Sequence, residues 1–190
     1  MKNGIFSIGI KGELLVFLSA MGFATMGVLG KMAYSYGLNT TTLLFLRFFI
    51  AAIILFLVSH ILKRPLKLKG KDGLIAFGFG FIGYNLVSFC YFYSLNFIPA
   101  SLTAVIFFTY PIFVTLFSFA FFKEKLTPNK ILSLILGSVG ILSIVSPGKA
   151  QIDYRGIIFS LLGGILYAFY VLGLSLPRVK KIDSVKMSFY

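Results

Sequence analysis

Long apolar runs separated by short polar gaps account for most of the chain. The runs are Leu14–Tyr34, Leu43–Leu62, Gly73–Asn96, Ala100–Phe122, Ile131–Ser146 and Gly156–Leu176. A bilayer core about 30 Å thick needs roughly 20 apolar residues per helix, so each run reads as a membrane-crossing helix, the fifth being short. Ser184–Tyr190 reads as the first turns of a seventh. Local signals fit these limits. Asn39 with Thr40–Thr42 can cap the second helix, and Thr127-Pro128-Asn129 can open the fifth. Pro99 stands at the first turn of the fourth, and Pro147-Gly148 closes the fifth. The fold class expected is an all-α polytopic membrane bundle.

Composition reinforces the pattern. Of 190 residues, 58% are hydrophobic and 12% charged, with a mean hydropathy of +0.97, whereas a soluble domain carries about 25% charged residues. The net charge of +13 raises the question of nucleic acid, but the cations form no stripe with interleaved polar residues. They cluster in the gaps between apolar runs, which points to the bilayer as partner and away from nucleic acid. Lys63, Arg64, Lys67, Lys69 and Lys71 crowd one gap; Lys123, Lys125 and Lys130 another; Arg178, Lys180 and Lys181 a third. Tyr34–Thr40 and Tyr93–Ala100 carry no charge. The bias places the basic loops and the N-terminus in the cytoplasm of a plasma-membrane protein, with Lys149, Asp153 and Arg155 a weaker exception outside. Lys11 and Glu13 delay the first apolar run and more spans follow, so that run reads as a retained helix rather than a cleaved leader.

A faint repeat is visible when the chain is laid on itself. Gly12 falls on Gly156, Leu18 on Leu162, Ala24 on Ala168 and Phe45 on Phe189, while Asn39 meets Asp183. A unit with an odd number of spans puts its second copy upside down. The loop after the first span is uncharged and its counterpart Leu176–Ser184 is basic, the sign change an inverted repeat requires. The expected domains are a five-helix repeat over 12–147 and the beginning of a second over 156–190.

Several residues carry candidate chemistry. Arg47 lies about 12 Å into the second helix, where it can attract an anionic solute group or hold a gate; the alternative, stronger on sequence alone, is that it snorkels to phosphates or binds carbonyls. Lys31, nearer its helix end, fits snorkelling better still. In the third span Tyr84, Ser88 and Tyr91 recur at helical spacing beside Asn85. Thr109 and Tyr110 precede Pro111, which lacks an N–H and frees a carbonyl one turn earlier. Thr25, Tyr167 and Tyr170 add hydroxyls. Tyr84, Asn85, Ser88, Thr109, Tyr110 and Arg47 are the expected solute-binding set, set against plain interface-belt and interhelical roles. Glu124 between Lys123 and Lys125 fits an ion pair, and His60 a solvated helix end. Small residues at Ala20/Ala24, Ala76/Gly80, Ser133/Gly137 and Ser160/Gly164/Ala168 fit close helix packing. Gly137-Ser138-Val139-Gly140 with a distant His60 makes no serine nucleophile. The sequence has no metal-ligand spacing, no cofactor signature and a single Cys90, so an enzyme is not expected.

Along the chain come Gly27-Val28-Leu29-Gly30-Lys31, Phe45-Leu46-Arg47-Phe48 and Ile98-Pro99-Ala100-Ser101-Leu102-Thr103-Ala104-Val105. Thr109-Tyr110-Pro111, Lys123-Glu124-Lys125-Leu126-Thr127-Pro128, Gly137 and Gly140 follow. In these stretches and their order the chain resembles the EamA-type branch of the drug/metabolite transporter superfamily. The resemblance implies a secondary transporter of small organic solutes or metabolites working by alternating access, built of two inverted five-helix halves. This chain reaches only the sixth span and the start of a seventh, so a truncated, non-transporting module or a half-transporter needing a partner is the competing expectation. Solute, direction, coupling ion and oligomeric state are not set by the residues.

Overall fold

The computed structural model describes residues 3–63, 66–68, 70–124, 127–144 and 153–190. Helices follow one another along it: α1 (Asn3–Ser35), α2 (Thr40–Ile61), α3 (Lys71–Phe77), a π-helical segment (Gly78–Tyr84) and α4 (Asn85–Ser94). Then come α5 (Ala100–Phe107), α6 (Tyr110–Phe122), α7 (Pro128–Ile144), α8 (Tyr154–Leu174), a 3₁₀ turn (Val179–Lys181) and α9 (Ser184–Phe189). No strand occurs among the described residues. The protein is an all-α polytopic membrane protein.

Among the described residues, five helical stretches are long and apolar enough to cross a bilayer: Gly12–Ser35, Thr40–Ile61, Lys71–Ser94, Ala100–Phe122 and Tyr154–Leu174. The run expected as the fifth span forms α7, with 17 residues; Pro147-Gly148, expected to close it, lie outside the described residues. The total accessible surface is 13475 Å², against about 9,000 Å² for a compact soluble chain of this mass. Large apolar side chains such as Leu15, Val16, Ile54, Phe56, Leu136 and Ile158 point outward. Only hydrocarbon makes such a surface favourable.

The helix ends follow the expected chemistry. The Asn39 side chain accepts from the Thr42 N–H at 2.8 Å. Asp153 accepts from the Arg155 N–H at 2.9 Å to open α8, and Asp183 accepts from the N–H groups of Val185 and Lys186 to open α9. Lys123 ends α6 in the left-handed conformation (φ 53°). Between α1 and α2, Gly37 takes φ 84°, which a glycine adopts without steric cost.

The interior is built around α4 and α8. Leu44, Tyr91, Phe92 and Leu95 form a buried cluster, with Met26, Tyr34 and Phe107 against it. On α8, Ser160, Gly163, Gly164 and Ala168 are buried, and they let neighbouring backbones come close. A Cβ on Gly164 would stand 3.1 Å from the Phe107 carbonyl oxygen, the one that Pro111 deprives of its ordinary helical donor. The Ser160 hydroxyl donates to the Thr103 carbonyl at 2.7 Å, while Ser94 bonds the Thr103 hydroxyl at 3.2 Å. These bonds tie α4, α5 and α8 at a buried polar node. Of the other small-residue pairs, Ala76 is fully buried and a Cβ on Gly80 would meet the Tyr190 backbone, whereas Ala20 and Ala24 are exposed and a Cβ on Gly137 would have nothing described within 4 Å.

Two clusters mark opposite ends of the bundle. At one end, the Tyr34 hydroxyl donates to the Phe92 carbonyl at 2.8 Å and contacts the Thr40 hydroxyl at 3.0 Å, while Asn96 donates to Thr40 at 3.2 Å. At the other, Arg178 after α8 reaches Asp72 at the start of α3 (3.8 Å). Glu124 and Lys130 form an exposed ion pair at 2.9 Å.

Candidate functional site

A half-open cavity of about 840 Å³ is walled by α2, the π segment, α4, α8 and α9. Its polar groups come from Thr41, Arg47, Tyr84, Asn85, Tyr167, Tyr170, Ser188 and Tyr190, and its apolar wall includes Phe45, Phe48, Phe49, Phe81 and Phe89. An apolar cavity with few convergent polar groups is what a small-molecule site requires.

Local structure explains why these side chains meet. In the π segment the wider turn holds more residues than an α-turn, and such segments are frequent at functional sites. Here the segment ends at Tyr84, so Tyr84 and Asn85 face the cavity while Val87, Cys90 and Tyr91 on the following helix are buried in the core. Glycine makes the wall thin. A Cβ on Gly83 would stand 3.2 Å from the Tyr170 ring, and one on Gly173 would stand 2.7 Å from Phe79. α8 can therefore bring Tyr170 against Tyr84, with centroids 5.6 Å apart.

The tyrosines form a connected row. Tyr84 meets Tyr170, Tyr170 stacks on Tyr167 at 5.9 Å, and Tyr167 meets Tyr110 edge-on at 4.7 Å. Edge-to-face and tilted contacts in this range are favourable by about 0.5–1.5 kcal/mol each beyond area burial.

Arg47 stands at the head of the row. One guanidinium nitrogen, Nη2, donates to the Tyr84 hydroxyl at a long 3.4 Å. The other, Nη1, is buried without a hydrogen-bond partner. The guanidinium carbon lies 5.3 Å from the Phe92 ring centroid and 5.8 Å from that of Phe48. Cation–π contact contributes about 0.5–2 kcal/mol, less than a buried charge loses on leaving water. No carboxylate among the described residues pairs with it: the recorded ion pairs are Lys130–Glu124, Arg155–Asp153 and Arg178–Asp72. Asp153, the one acid expected on this side, is engaged by Arg155 at 2.9 Å. The guanidinium is thus turned into the bundle rather than outward along the helix. It also borders a second cavity of about 480 Å³ beside α1, lined by Ser19, Thr25, Met26 and Leu43.

Of the residues expected from sequence, Arg47, Tyr84 and Asn85 come together on the cavity wall. Ser88 is buried one turn further along α4, outside the lining. The Thr109 hydroxyl is turned back onto the Ile106 carbonyl at 2.7 Å. Tyr110 supports Tyr167 from behind rather than lining the cavity. Tyr167 and Tyr170 are full members of the wall. Their signal was the hydroxyls on the polar face of α8; what the sequence could not give was their contact with the third span. Among the described residues no group of His, Cys, Asp and Glu is arranged to hold a metal.

Comparison with known proteins gives a consistent picture. The sequence profile of the EamA-like transporter family matches residues 10–146. An uncharacterized transporter of Clostridium kluyveri is 29% identical over 170 residues, 84% of this chain and 54% of that protein. The uncharacterized transporter YoaV of Bacillus subtilis is 31% identical over 115 residues, 57% of this chain and 37% of its own length. The pseudopaline exporter CntI of Pseudomonas aeruginosa is 28% identical over 164 residues, 86% of this chain and 55% of its own length. The chain thus spans about half the length of the curated relatives it matches. Solved structures include no significant match.

Proposed function

The chain belongs to the EamA-like transporter family, and from that premise we propose that it moves small organic solutes across the plasma membrane by alternating access around the Arg47–Tyr84–Tyr170 cavity. Residues 12–147 form the first repeat and 156–190 open an inverted second one, with the N-terminus in the cytoplasm. The transport is secondary active.

The observation that carries this reading is the cavity of about 840 Å³ between α2, α4 and α8, with an under-satisfied cation on its wall. A packing defect would be apolar and dry; this one is lined by an arginine, an asparagine and four tyrosines. The repeat is supported by two helix caps. Asn39 opens α2 and Asp183 opens α9, at positions that coincide when the chain is laid on itself. In an inverted pair these caps belong to opposite ends of the bundle, and the contacts around Thr40 and around Asp72–Arg178 lie at opposite ends in the same sense.

The test is counterflow in proteoliposomes containing the purified chain, with a panel of labelled organic anions, cations and neutral solutes that includes pseudopaline. The expected result is accumulation of at least one solute, abolished by Asn85→Trp, which places an indole on the cavity wall. The alternative is a module that transports nothing alone or a half-transporter requiring a partner. It predicts no counterflow for any member of the panel.

A further inference from the structure

We infer that the cavity selects organic anions, a carboxylate held by Arg47 and Tyr84 with an aromatic or branched apolar body against the tyrosine and phenylalanine wall. This rests on the transport reading and adds to it the charge class of the solute.

The argument is one of missing acceptors. Among the described residues, Arg47 is the one charged side chain on the cavity wall; the rest are hydroxyl, amide, aromatic, thioether and aliphatic groups. A guanidinium carries five N–H donors in a fixed planar fork and has no acceptor of its own. Around it the protein offers a single hydroxyl at 3.4 Å and two aromatic faces, with Nη1 left unpartnered. A half-buried cation with one nitrogen shielded from solvent and no carboxylate beside it favours a ligand that supplies the negative charge. A solute carboxylate in the cavity supplies both the charge and paired acceptors, and charge-assisted bonds of this kind are about twice as strong as neutral ones. The Tyr84 hydroxyl accepts from Arg47 and keeps its own proton for donation to the same carboxylate.

The rest of the cavity fixes the other half of the solute. Tyr167, Tyr170, Phe48 and Phe89 present ring faces and edges, suited to a flat or branched apolar body. A cationic solute would face the Arg47 charge with no lining carboxylate to offset it. A neutral solute can offer the guanidinium an acceptor but leaves its charge uncompensated.

The test compares three probes of one shape and different charge, 2-naphthylacetate, 2-naphthylacetamide and 2-naphthylethylamine. Their binding to the full chain in neutral-lipid nanodiscs is read from naphthyl fluorescence, with empty nanodiscs subtracted. The wild type is expected to bind the acetate at least about tenfold more tightly than the amide, with the amine weakest. Arg47→Gln is expected to erase the acetate–amide difference. Tyr84→Phe, which removes one hydroxyl and keeps the ring, is expected to reduce it by a few-fold; this variant keeps the test open should Arg47→Gln fail to fold. Amide or amine binding as tightly as the acetate overturns the inference. So does an acetate preference that survives in folded Arg47→Gln, or failure of all three probes to bind. Solute counterflow alongside such a failure shows the charge class alone to be wrong; absence of counterflow across the whole panel removes the transport reading itself.

Discussion

A single Cβ separates the tight and open places in this bundle. Gly164 lies 3.1 Å, measured from a built Cβ, from the Phe107 backbone carbonyl, whereas Gly137 has nothing described within 4 Å. Backbone cannot step aside as a flexible side chain can, so Gly164→Val is expected to destabilise the protein by about 1–3 kcal/mol. Gly137→Ala removes helix-interior backbone entropy without a clash and is expected to be neutral or stabilising by up to about 1 kcal/mol. Thermal unfolding of the two variants in one detergent measures the difference; equal midpoints would mean that α8 does not approach α5 so closely. Both glycines sit in small-residue patterns that look alike in the sequence. The pattern marks positions that permit close approach and is silent on which of them meets a partner. The candidate site divides in the same way. Tyr84 and Asn85 were legible because helical spacing gathers polar groups on one face of the third span. Ser88 shares that face by spacing but is buried on α4 outside the cavity lining, and Thr109 satisfies itself on Ile106.

The start of α8 is held by both a cap and an ion pair. Asp153 accepts from the Arg155 N–H and pairs with its guanidinium, while Arg155 lies 4.9 Å from the Phe97 ring centroid, next to the loop before α5. The hydrogen bonds and charge of Arg155 hold the Asp153 carboxyl below the ordinary carboxylate range. A depressed folded-state pKa gives a contribution that is full above the unfolded value of about 3.9 and is lost as pH falls through the lower folded value. The difference in thermal stability between the wild type and Asp153→Ala should therefore be constant from neutral pH to about pH 5 and shrink below about pH 4. A difference that shrinks instead between pH 7 and 6 would assign the effect to another group. The Asn39 cap follows from residue type and position, whereas the sequence marked Asp153 only as a charge in its loop. The break of the fourth span at Phe108–Thr109 follows as readily from Pro111. The π segment does not, since Gly78–Tyr84 reads as ordinary apolar helix and only its packing against α8 and α9 distinguishes it.

Across the whole molecule, the contacts sort the loops into two groups. Asp72 and Arg178 join the basic loops at one end, and Tyr34, Thr40 and Asn96 join the uncharged loops at the other. With Cys90 replaced by Ala, a cysteine at Tyr36 should react with a membrane-impermeant maleimide in intact cells. One at Lys180 should react only after permeabilisation. The reverse pattern would invert the orientation while leaving the grouping intact. The all-α class and the crossings were legible because lipid imposes length and hydropathy on every span. The cavity was not, since it is made where helices distant in the chain meet, and periodicity within a helix carries no record of its neighbours.

The wide turn at Gly78–Tyr84 also bears on ancestry. A π segment is the geometry left when a helix absorbs one residue too many. The surplus rotates everything after it by about 100° relative to what came before. An ungapped alignment of this span against a relative with a straight helix would match each residue after Tyr84 to a neighbour on a different face. The cavity-facing positions of two such proteins would then seem to disagree even where their walls are the same. A gap of one column inside 78–84 is the register in which their residues should be compared.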